Sequence, residues 1–372
     1  MSISAIFAPA GPDLSDDEKA FFKDVGPAAF ILFARNIESP DQVRKLIDEL
    51  HDCTGSVLLP IMVDQEGGRV QRLGPPHWRK YPAMGVFGKL AGRNKELAKE
   101  ALFLNVRLLA RELCALGINV NTLPVLDVPV QGADDIIGDR ALSPNPGLVA
   151  ELGEVVISAL LAEGVAPVIK HIPGHGRARV DSHKALPVVD ADAQLLRRTD
   201  FFPFSALASP ALAGRGGAAQ DRGAATSGSI APFAPIAPFA MTAHVVYSAL
   251  DADNPVTFSK KIIGDLIREE FGYDGLLMSD DLSMGALEGD MTERTKRSLT
   301  AGCDLVLHCN GKLDEMTVIA DASVALSRDK QLQLDAAVGG DPSNSANHTE
   351  TMLAARDRAL LHLGWTPENR GA

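Results

Sequence analysis

Residues 164–183 read GVAPVIKHIPGHGRARVDSH, an apolar run followed at once by a glycine-rich loop that is crowded with titratable groups. The apolar run at 164–169 predicts a buried strand. The loop from Lys170 to His183 contains one lysine, three histidines and one carboxylate. Because polar groups gathered just past a strand serve a reaction more often than they serve packing, this loop indicates a reaction site.

The same arrangement recurs along the chain, where strand-like and helix-like segments alternate. Such alternation predicts a parallel sheet with helices outside it. Polar residues stand at the ends of six predicted strands: Asp64, Asp127, Lys170, His244, Asp280 and His308. An open doubly wound sheet would usually carry a glycine-rich phosphate loop, and no GxGxxG follows a strand here. We therefore predict an α/β fold, a single TIM-type (β/α)8 barrel with its active site at the carboxyl ends of the strands.

The length of 372 residues suits one catalytic domain, 1–372, because a barrel of this type with insertions commonly reaches that size. The segment at about 208–238 is rich in alanine, glycine and proline, which predicts a low-complexity surface insertion. A C-terminal helix is predicted at about 350–363.

The composition indicates which binding partners and which cell compartment to expect. A net charge of −12 without a basic stripe argues against binding to nucleic acid. No apolar run reaches the roughly 18 residues that a membrane helix needs, and the N-terminus lacks the basic region of a signal peptide. The four cysteines are too scattered for a disulfide framework. We expect a cytoplasmic monomer with no membrane partner and no cofactor.

The histidine-rich loop allows three interpretations. It could be a solvated loop with incidental histidines. It could hold a metal through His171 and His175, with His183 or Asp181 added, although residues 173–174 (Pro-Gly) break the helical spacing of such a pair. It could also provide acid–base catalysis, with the Asp181 carboxylate accepting the His183 imidazole N–H and fixing its tautomer.

A candidate nucleophile lies about a hundred residues further on. The segment 275–279 (GLLMS) predicts a short strand, and Asp280 and Asp281 stand at its carboxyl end. Catalytic side chains occupy that position in a β/α barrel, whereas an aspartate can equally cap the next helix. With two adjacent aspartates, one could react while the other caps or braces the site.

These segments together resemble the family 3 glycoside hydrolases. The resemblance rests on residues 170–183 and on SDDLSM at 279–284. Further matching segments follow in family order: VDQEGGRVQR at 63–72, PVLDV at 124–128, GDR at 138–140 and MTAH at 241–244. Within the family, the chain is similar to the bacterial β-N-acetylhexosaminidases of peptidoglycan recycling.

The resemblance implies a retaining β-N-acetylglucosaminidase that acts on peptidoglycan-derived saccharides or muropeptides, GlcNAc-β-1,4-(anhydro)MurNAc and its peptides, and releases N-acetylglucosamine. Asp280 would be the nucleophile and His183 the acid/base, oriented by Asp181, with no metal needed. Five substrate contacts are implied as well: Asp64, Arg72, Arg140, Lys170 and His171.

The chain departs from its relatives in the histidine loop, where Arg177-Ala178-Arg179 replaces the usual Asp-Thr. A β-N-acetylglucosaminide phosphorylase on the same fold therefore remains an alternative, because a histidine acid/base does not repel phosphate and Arg177 or Arg179 could attract it. A metal-dependent barrel hydrolase using His171, His175 and His183 is the alternative from another class. We expect the loop 174–180 to be mobile, since it contains two glycines and few apolar anchors.

Overall fold

The computed structural model describes residues 2–208, 237–339 and 349–365. Eight parallel strands close into a barrel, each one hydrogen-bonded to the next in the sequence and the last to the first. The strands are β1 (Ile3–Phe7), β2 (Pro27–Leu32), β3 (Ile61–Val63), β4 (Val120–Asn121), β5 (Ala166–Ile172), β6 (Phe239–Thr242), β7 (Leu276–Asp281) and β8 (Leu305–His308). The predicted (β/α)8 barrel is confirmed.

Alternate side chains of each strand face two different cores. In β7, Leu276 and Met278 belong to a cluster that fills the barrel, whereas Leu277 packs into the larger cluster between barrel and helices. The pairing of β7 with β8 is irregular between Met278 and Asp281, so this alternation does not by itself set the directions of the two aspartates. Their contacts separate them: Lys170 and His171 act on Asp280, whereas the backbone amide of Ser283 donates to Asp281.

Helices surround the barrel: α1 (Asp16–Val25), α2 (Pro40–Thr54), α3 (Met84–Ala91), α4 (Lys95–Cys114), α5 (Pro146–Leu161), α6 (Ala193–Arg198), α7 (Phe202–Ala208), α8 (Met291–Ala301), α9 (Leu313–Ala322), α10 (Arg328–Val338) and α11 (Thr349–His362), with a π-helical segment at Ile262–Glu270. Their starts follow ordinary capping chemistry. The Ser39 hydroxyl, for example, accepts the Gln42 amide N–H just before α2. None of the helices in the described ranges is both long enough and apolar enough to cross a membrane.

Two predicted elements need comment. The predicted final helix exists as α11, which packs against α4. The low-complexity insertion predicted at about 208–238 falls almost wholly outside the described residues. The single domain assigned to 1–372 stays a prediction.

One predicted strand is much shorter than expected. The sequence placed Asp127 at the end of a predicted strand, but the strand before it, β4, pairs only at Val120–Asn121. Pro124 has no amide hydrogen to donate to the sheet, which interrupts the strand, and pairing with β5 continues only as an isolated bridge between Val125 and Lys170. Asp127 therefore lies in the loop after β4, where Leu126 still donates to the Lys170 carbonyl at 2.7 Å.

Candidate active site

The floor of the barrel mouth is a buried ionic cluster centred on Lys170. Its ammonium lies 2.7 Å from Glu66, 3.1 Å from Asp64 and 2.9 Å from the hydroxyl of Thr122. The contacts with Asp64 and Thr122 are hydrogen bonds, and the contact with Glu66 is an ion pair. Burial alone would raise the pKa of Asp64, but Lys170 and Arg72 outweigh it and hold that pKa below its ordinary range.

Arg140 reaches the same cluster from the loop after β4. Its guanidinium donates two hydrogen bonds of 2.9 Å to the two oxygens of Glu66, and it also donates to the Ile136 carbonyl at 3.1 Å. Glu66 is fully buried, and burial would raise its pKa, yet Lys170 and Arg140 bring the pKa below its ordinary value. The pair therefore fixes the loop around residue 140 to the barrel.

Arg72 offers the cluster's unused donor. It forms an ion pair of 2.8 Å with Asp64, and its guanidinium carbon lies 5.3 Å from the centroid of the Phe33 ring. Its Nε atom is buried and has no hydrogen-bond partner within the described part of the chain. Because a buried N–H without a partner is costly, this atom is suited to a ligand oxygen.

Asp127 orients the start of the histidine loop. One of its oxygens accepts the His171 ring N–H at 2.7 Å, and the other accepts the backbone amides of His171 and His175 at 3.2 and 2.7 Å. Burial would raise the pKa of Asp127, but its contacts with His171 outweigh burial and lower it. The carboxylate thus stays charged and fixes the His171 tautomer, with Nδ1 protonated.

Asp280 lies at the end of β7, close to this cluster. One carboxylate oxygen accepts the Asp281 amide at 2.8 Å. Burial would raise its pKa, but His171, that amide and Lys170 lower it below the ordinary value. Asp280 is therefore ionised at neutral pH.

Asp281 has a different set of contacts. Its carboxylate accepts the backbone amides of Ser283 and Cys309 and the Ser283 hydroxyl. Its carbonyl accepts an N–H from the ring of buried His244 at 3.0 Å. Two of these contacts fix the backbone at Ser283 and Cys309, and the other two tie Asp281 to the side chains of Ser283 and His244. Asp281 therefore braces the strand end beside Asp280, which is the role that the sequence analysis allowed for one of the two aspartates.

The predicted dyad of Asp181 and His183 is formed. The Asp181 carboxylate accepts both the His183 backbone amide and the ring Nδ1–H at 2.9 Å. Burial would raise the pKa of Asp181, but these two hydrogen bonds lower it. The His183 side chain is 61% exposed, so its Nε2 can exchange protons with water or a ligand. It makes no hydrogen bond to Asp280.

The histidine loop has more anchors than the sequence suggested. The carbonyl of Gly176 accepts the Val130 amide, and a Cβ at Gly176 would overlap the Val128 carbonyl. Arg177 forms an ion pair of 2.6 Å with buried Asp200. Ala178 is buried, whereas residues 179–180 are exposed. Residues 174–178 are thus held by backbone hydrogen bonds and an ion pair, which the expectation of few apolar anchors did not consider, and the mobility of the loop stays a prediction.

The three histidines proposed as metal ligands do not converge. His171 is bonded to Asp127 and His175 to Ser182, with 5.7 Å between their ring centroids, while exposed His183 is bonded to Asp181. No group of three or more potential ligand side chains has metal-binding spacing within residues 2–208, 237–339 and 349–365.

The structure brings most of the sequence-predicted residues to the carboxyl end of the barrel. Asp64, Arg72, Arg140 and Lys170 form one ionic cluster, His171 lies beside it, and Asp280 projects from the next strand but one after β5. Sequence reasoning missed Glu66 and Thr122, which hold Lys170. Glu66 could have been found, because it stands two residues after Asp64 and alternation places both on one face of an extended chain.

Ionised carboxylates and a histidine–aspartate dyad at the mouth of a parallel barrel are features of a β/α-barrel enzyme. The sequence matches the glycosyl hydrolase family 3 N terminal domain over residues 3–213 and 237–338. The chain belongs to family 3 of the glycoside hydrolases. Its similarity to β-hexosaminidases of this family shows that it is a β-hexosaminidase.

Three relatives illustrate the similarity. A β-hexosaminidase of Alkalilimnicola ehrlichii is 37% identical over 302 residues, covering 81% of this chain and 78% of the relative. That of Thiobacillus denitrificans is 34% identical over 95% of this chain and 90% of its own length. NagZ from Neisseria gonorrhoeae, solved with N-trifluoroacetyl-D-glucosamine, superposes with a TM-score of 0.80 and 29% identity over 98% of both chains. It has also been solved with a zinc ion.

Proposed function

We propose that this chain is a retaining β-N-acetylglucosaminidase in which Asp280 is the nucleophile and His183, oriented by Asp181, is the acid/base. The observation that carries the proposal is that Asp280, whose pKa is lowered by His171 and Lys170, lies at the end of β7, while a separate and exposed dyad of Asp181 and His183 lies on a neighbouring loop. The backbone of the dyad is hydrogen-bonded to the loop that follows Asp280: Gly285 donates to the His183 carbonyl and Ala286 to the Ser182 carbonyl.

Asp280 would attack the anomeric carbon, forming a glycosyl–enzyme ester as the bond to the leaving oxygen breaks. An ionised carboxylate is required for this step, and the lowered pKa of Asp280 provides it. Its contact with the Asp281 amide holds the attacking group in one orientation.

His183 would give the Nε2 proton to the leaving oxygen and then take a proton from the water that hydrolyses the ester. The Asp181 carboxylate binds Nδ1–H, so Nε2 is the nitrogen that gains and loses the proton.

The sugar ring would bind over the ionic cluster. Arg72 Nε and the remaining lone pairs of Asp64 are its most available contacts, because Arg72 Nε has no hydrogen-bond partner in the described residues while the Lys170 ammonium is surrounded by Asp64, Glu66 and Thr122. Lys170 and Arg140 would therefore act on the substrate chiefly by holding Asp64 and Glu66, with His171 lining the site beside Asp127.

The substrate assignment rests on relatives. The Neisseria NagZ binds an N-acylated glucosamine, which supports N-acetylglucosamine as the sugar that this chain releases. We propose GlcNAc-β-1,4-(anhydro)MurNAc and its peptides as the natural substrates, in the cytoplasm, because the similarity to NagZ extends over nearly the whole of both chains.

Two competing activities are less favoured by the geometry. Phosphorolysis would gain from a free Arg177, but Asp200 neutralises its charge, which leaves the exposed Arg179. Metal-dependent hydrolysis would need His171, His175 and His183 to converge, which they do not. The zinc ion bound to the Neisseria protein makes a direct measurement with chelator necessary.

The test is His183→Ala assayed with two substrates, a nitrophenyl β-N-acetylglucosaminide and GlcNAc-β-1,4-anhydroMurNAc. A general acid contributes roughly 10²- to 10⁴-fold, so kcat/KM for the sugar leaving group should fall by that factor, and by less than about tenfold for nitrophenol, which leaves without protonation. His362→Ala, an exposed histidine on α11, is the control.

Equal losses on both substrates would rule out His183 as the general acid. The wild-type protein is measured in parallel with a chelator and with added phosphate. Loss of activity on chelation, restored by zinc, would replace the proposal with the metal mechanism. Release of sugar 1-phosphate would replace it with phosphorolysis.

A further inference from the structure

His175 is a buried side chain that the proposed mechanism does not use. It is 3% exposed, and its backbone amide donates to Asp127 at 2.7 Å. Burial lowers its pKa to about 4, so the ring is neutral at neutral pH. A neutral imidazole buried four residues after His171 raises the question of what its two ring nitrogens do.

Only one of those nitrogens has a partner. Nε2 lies 3.0 Å from the hydroxyl of Ser182, while Nδ1 is buried without a hydrogen-bond partner across the described ranges. The tautomer with a proton on Nε2 donates to Ser182 and leaves only a lone pair unpaired. The opposite tautomer would bury an unpaired N–H, which costs more. The contact is thus a hydrogen bond from His175 to Ser182.

Ser182 occupies a particular place, because it stands between the two members of the dyad. Its side chain is held by His175, and its carbonyl accepts the Ala286 amide at 3.1 Å. The His183 carbonyl accepts the Gly285 amide at 3.2 Å, and a Cβ at Gly285 would lie 2.8 Å from that carbonyl. Ser182 therefore joins the rigid base of the histidine loop to the loop after Asp280.

The neighbouring loop residues lack comparable support. The side chain of His183 is exposed, and residues 179–180 and 184–185 are exposed on either side of the dyad. Besides the backbone hydrogen bond from Gly285 to the His183 carbonyl, the side chain of buried Ser182 is a contact through which the core can set the position of Asp181 and His183. A displacement of about 1 Å at a catalytic group can cost roughly 10²-fold in rate.

We propose that His175 is a positioning residue for the acid/base dyad: through its hydrogen bond to the Ser182 hydroxyl it holds Asp181 and His183 at the distance from Asp280 that protonation of the leaving group requires. His175 itself touches neither substrate nor reacting atoms in this role. The inference rests on the proposed function, because it concerns the same dyad.

The test compares a sugar leaving group with nitrophenol, because loss of the general acid mainly slows the reaction whose leaving group needs protonation. His175→Leu and Ser182→Ala both remove the hydrogen bond, and the serine change alters volume little. Each should lower kcat/KM for the disaccharide by roughly 10- to 100-fold, while kcat/KM for the nitrophenyl substrate should change by less than about threefold. The double variant should lose no more than the worse single variant, because both changes remove one interaction.

Two further variants test whether the effect comes from the lost hydrogen bond or from a loss of stability. His175→Gln should recover most of the disaccharide activity, because the glutamine Nε2 can donate to Ser182 from a similar position. Val156→Ala, a buried change on α5, should lower the melting temperature without changing the ratio of the two substrates. A folding defect alone would therefore not reproduce the difference between the two substrates.

Two failures can be told apart. Suppose that His183→Ala lowers kcat/KM for the disaccharide much more than for the nitrophenyl substrate. If Ser182→Ala and His175→Leu then leave both kcat/KM values unchanged, or lower them by the same factor, the positioning role is overturned while the proposed function stands. If His183→Ala itself lowers kcat/KM by the same factor for both substrates, His183 is not the general acid, and the positioning role of His175 is overturned as well.

Discussion

Replacing each of the two adjacent aspartates by asparagine gives the sharpest test of the site. The amide of Asp280→Asn keeps the shape and can still accept the Asp281 amide N–H, but it cannot attack the anomeric carbon. We expect kcat/KM to fall by about four orders of magnitude or more, the scale seen when a nucleophile is removed. The folded structure should survive, because the amide has nearly the same size as the carboxylate and keeps the hydrogen bond to the Asp281 amide.

Asp281→Asn should behave quite differently. Its carboxylate accepts two backbone amides and one hydroxyl, and an asparagine oxygen can keep both amides while its NH₂ group turns towards the Ser283 hydroxyl. What is lost is the charge assistance of these bonds, worth about 1 kcal/mol of unfolding free energy. Activity should drop by no more than about tenfold, since 1.36 kcal/mol in the barrier is one factor of ten.

The assay combines kinetics with chemical identification. Steady-state rates with the nitrophenyl substrate and thermal melts separate loss of chemistry from loss of folding. Because His183→Ala also slows water attack, that variant should accumulate the glycosyl–enzyme, whose fragment ions distinguish an adduct on Asp280 from one on Asp281. An adduct on Asp281, or an Asp281→Asn defect as deep as that of Asp280→Asn, would refute the geometric argument.

Two further predictions concern buried groups. His175 has a folded-state pKa of about 4 against roughly 6.5 when unfolded, so the unfolded chain binds a proton first and stability should fall by about 3 kcal/mol as pH drops from 6.5 to 4. Urea titrations should show this slope and its loss in His175→Gln; an unchanged slope would contradict the burial argument. Arg177→Ala should cost about 3–5 kcal/mol of unfolding free energy, because buried Asp200 loses its partner, whereas exposed Arg179→Ala should cost almost nothing in the same melts. Equal costs would show that the ion pair does not anchor the loop.

The sequence predicted features that depend on local period. The position of Asp280 at the end of β7 needed only the short apolar run before it and the rule that strand ends meet at one face of a barrel. The Asp181–His183 contact also spans only two residues, so a turn suffices to form it. Both features are encoded within a few consecutive residues.

Contacts between distant segments could not be predicted in the same way. Glu66 and Arg140 are 74 residues apart, and Arg177 and Asp200 are 23 apart. A periodic pattern shows which face a side chain occupies but not which charge from another loop it meets. The bracing of the histidine loop was missed for this reason, and its glycines were taken as a sign of mobility although Gly176 permits close backbone contact with Val128.

The site divides its tasks according to solvent exposure, and the chemistry explains why. A nucleophile must keep one ionisation state and one direction, which suits Asp280 among fixed amides and buried charges. An acid/base must change its protonation state twice in each cycle, so His183 needs access to water and cannot be buried in the same cluster. An exposed group on a loop loses precision unless something buried holds it. Asp181 sets the direction of the ring, and the contact between His175 and Ser182 connects that exposed dyad to the barrel core.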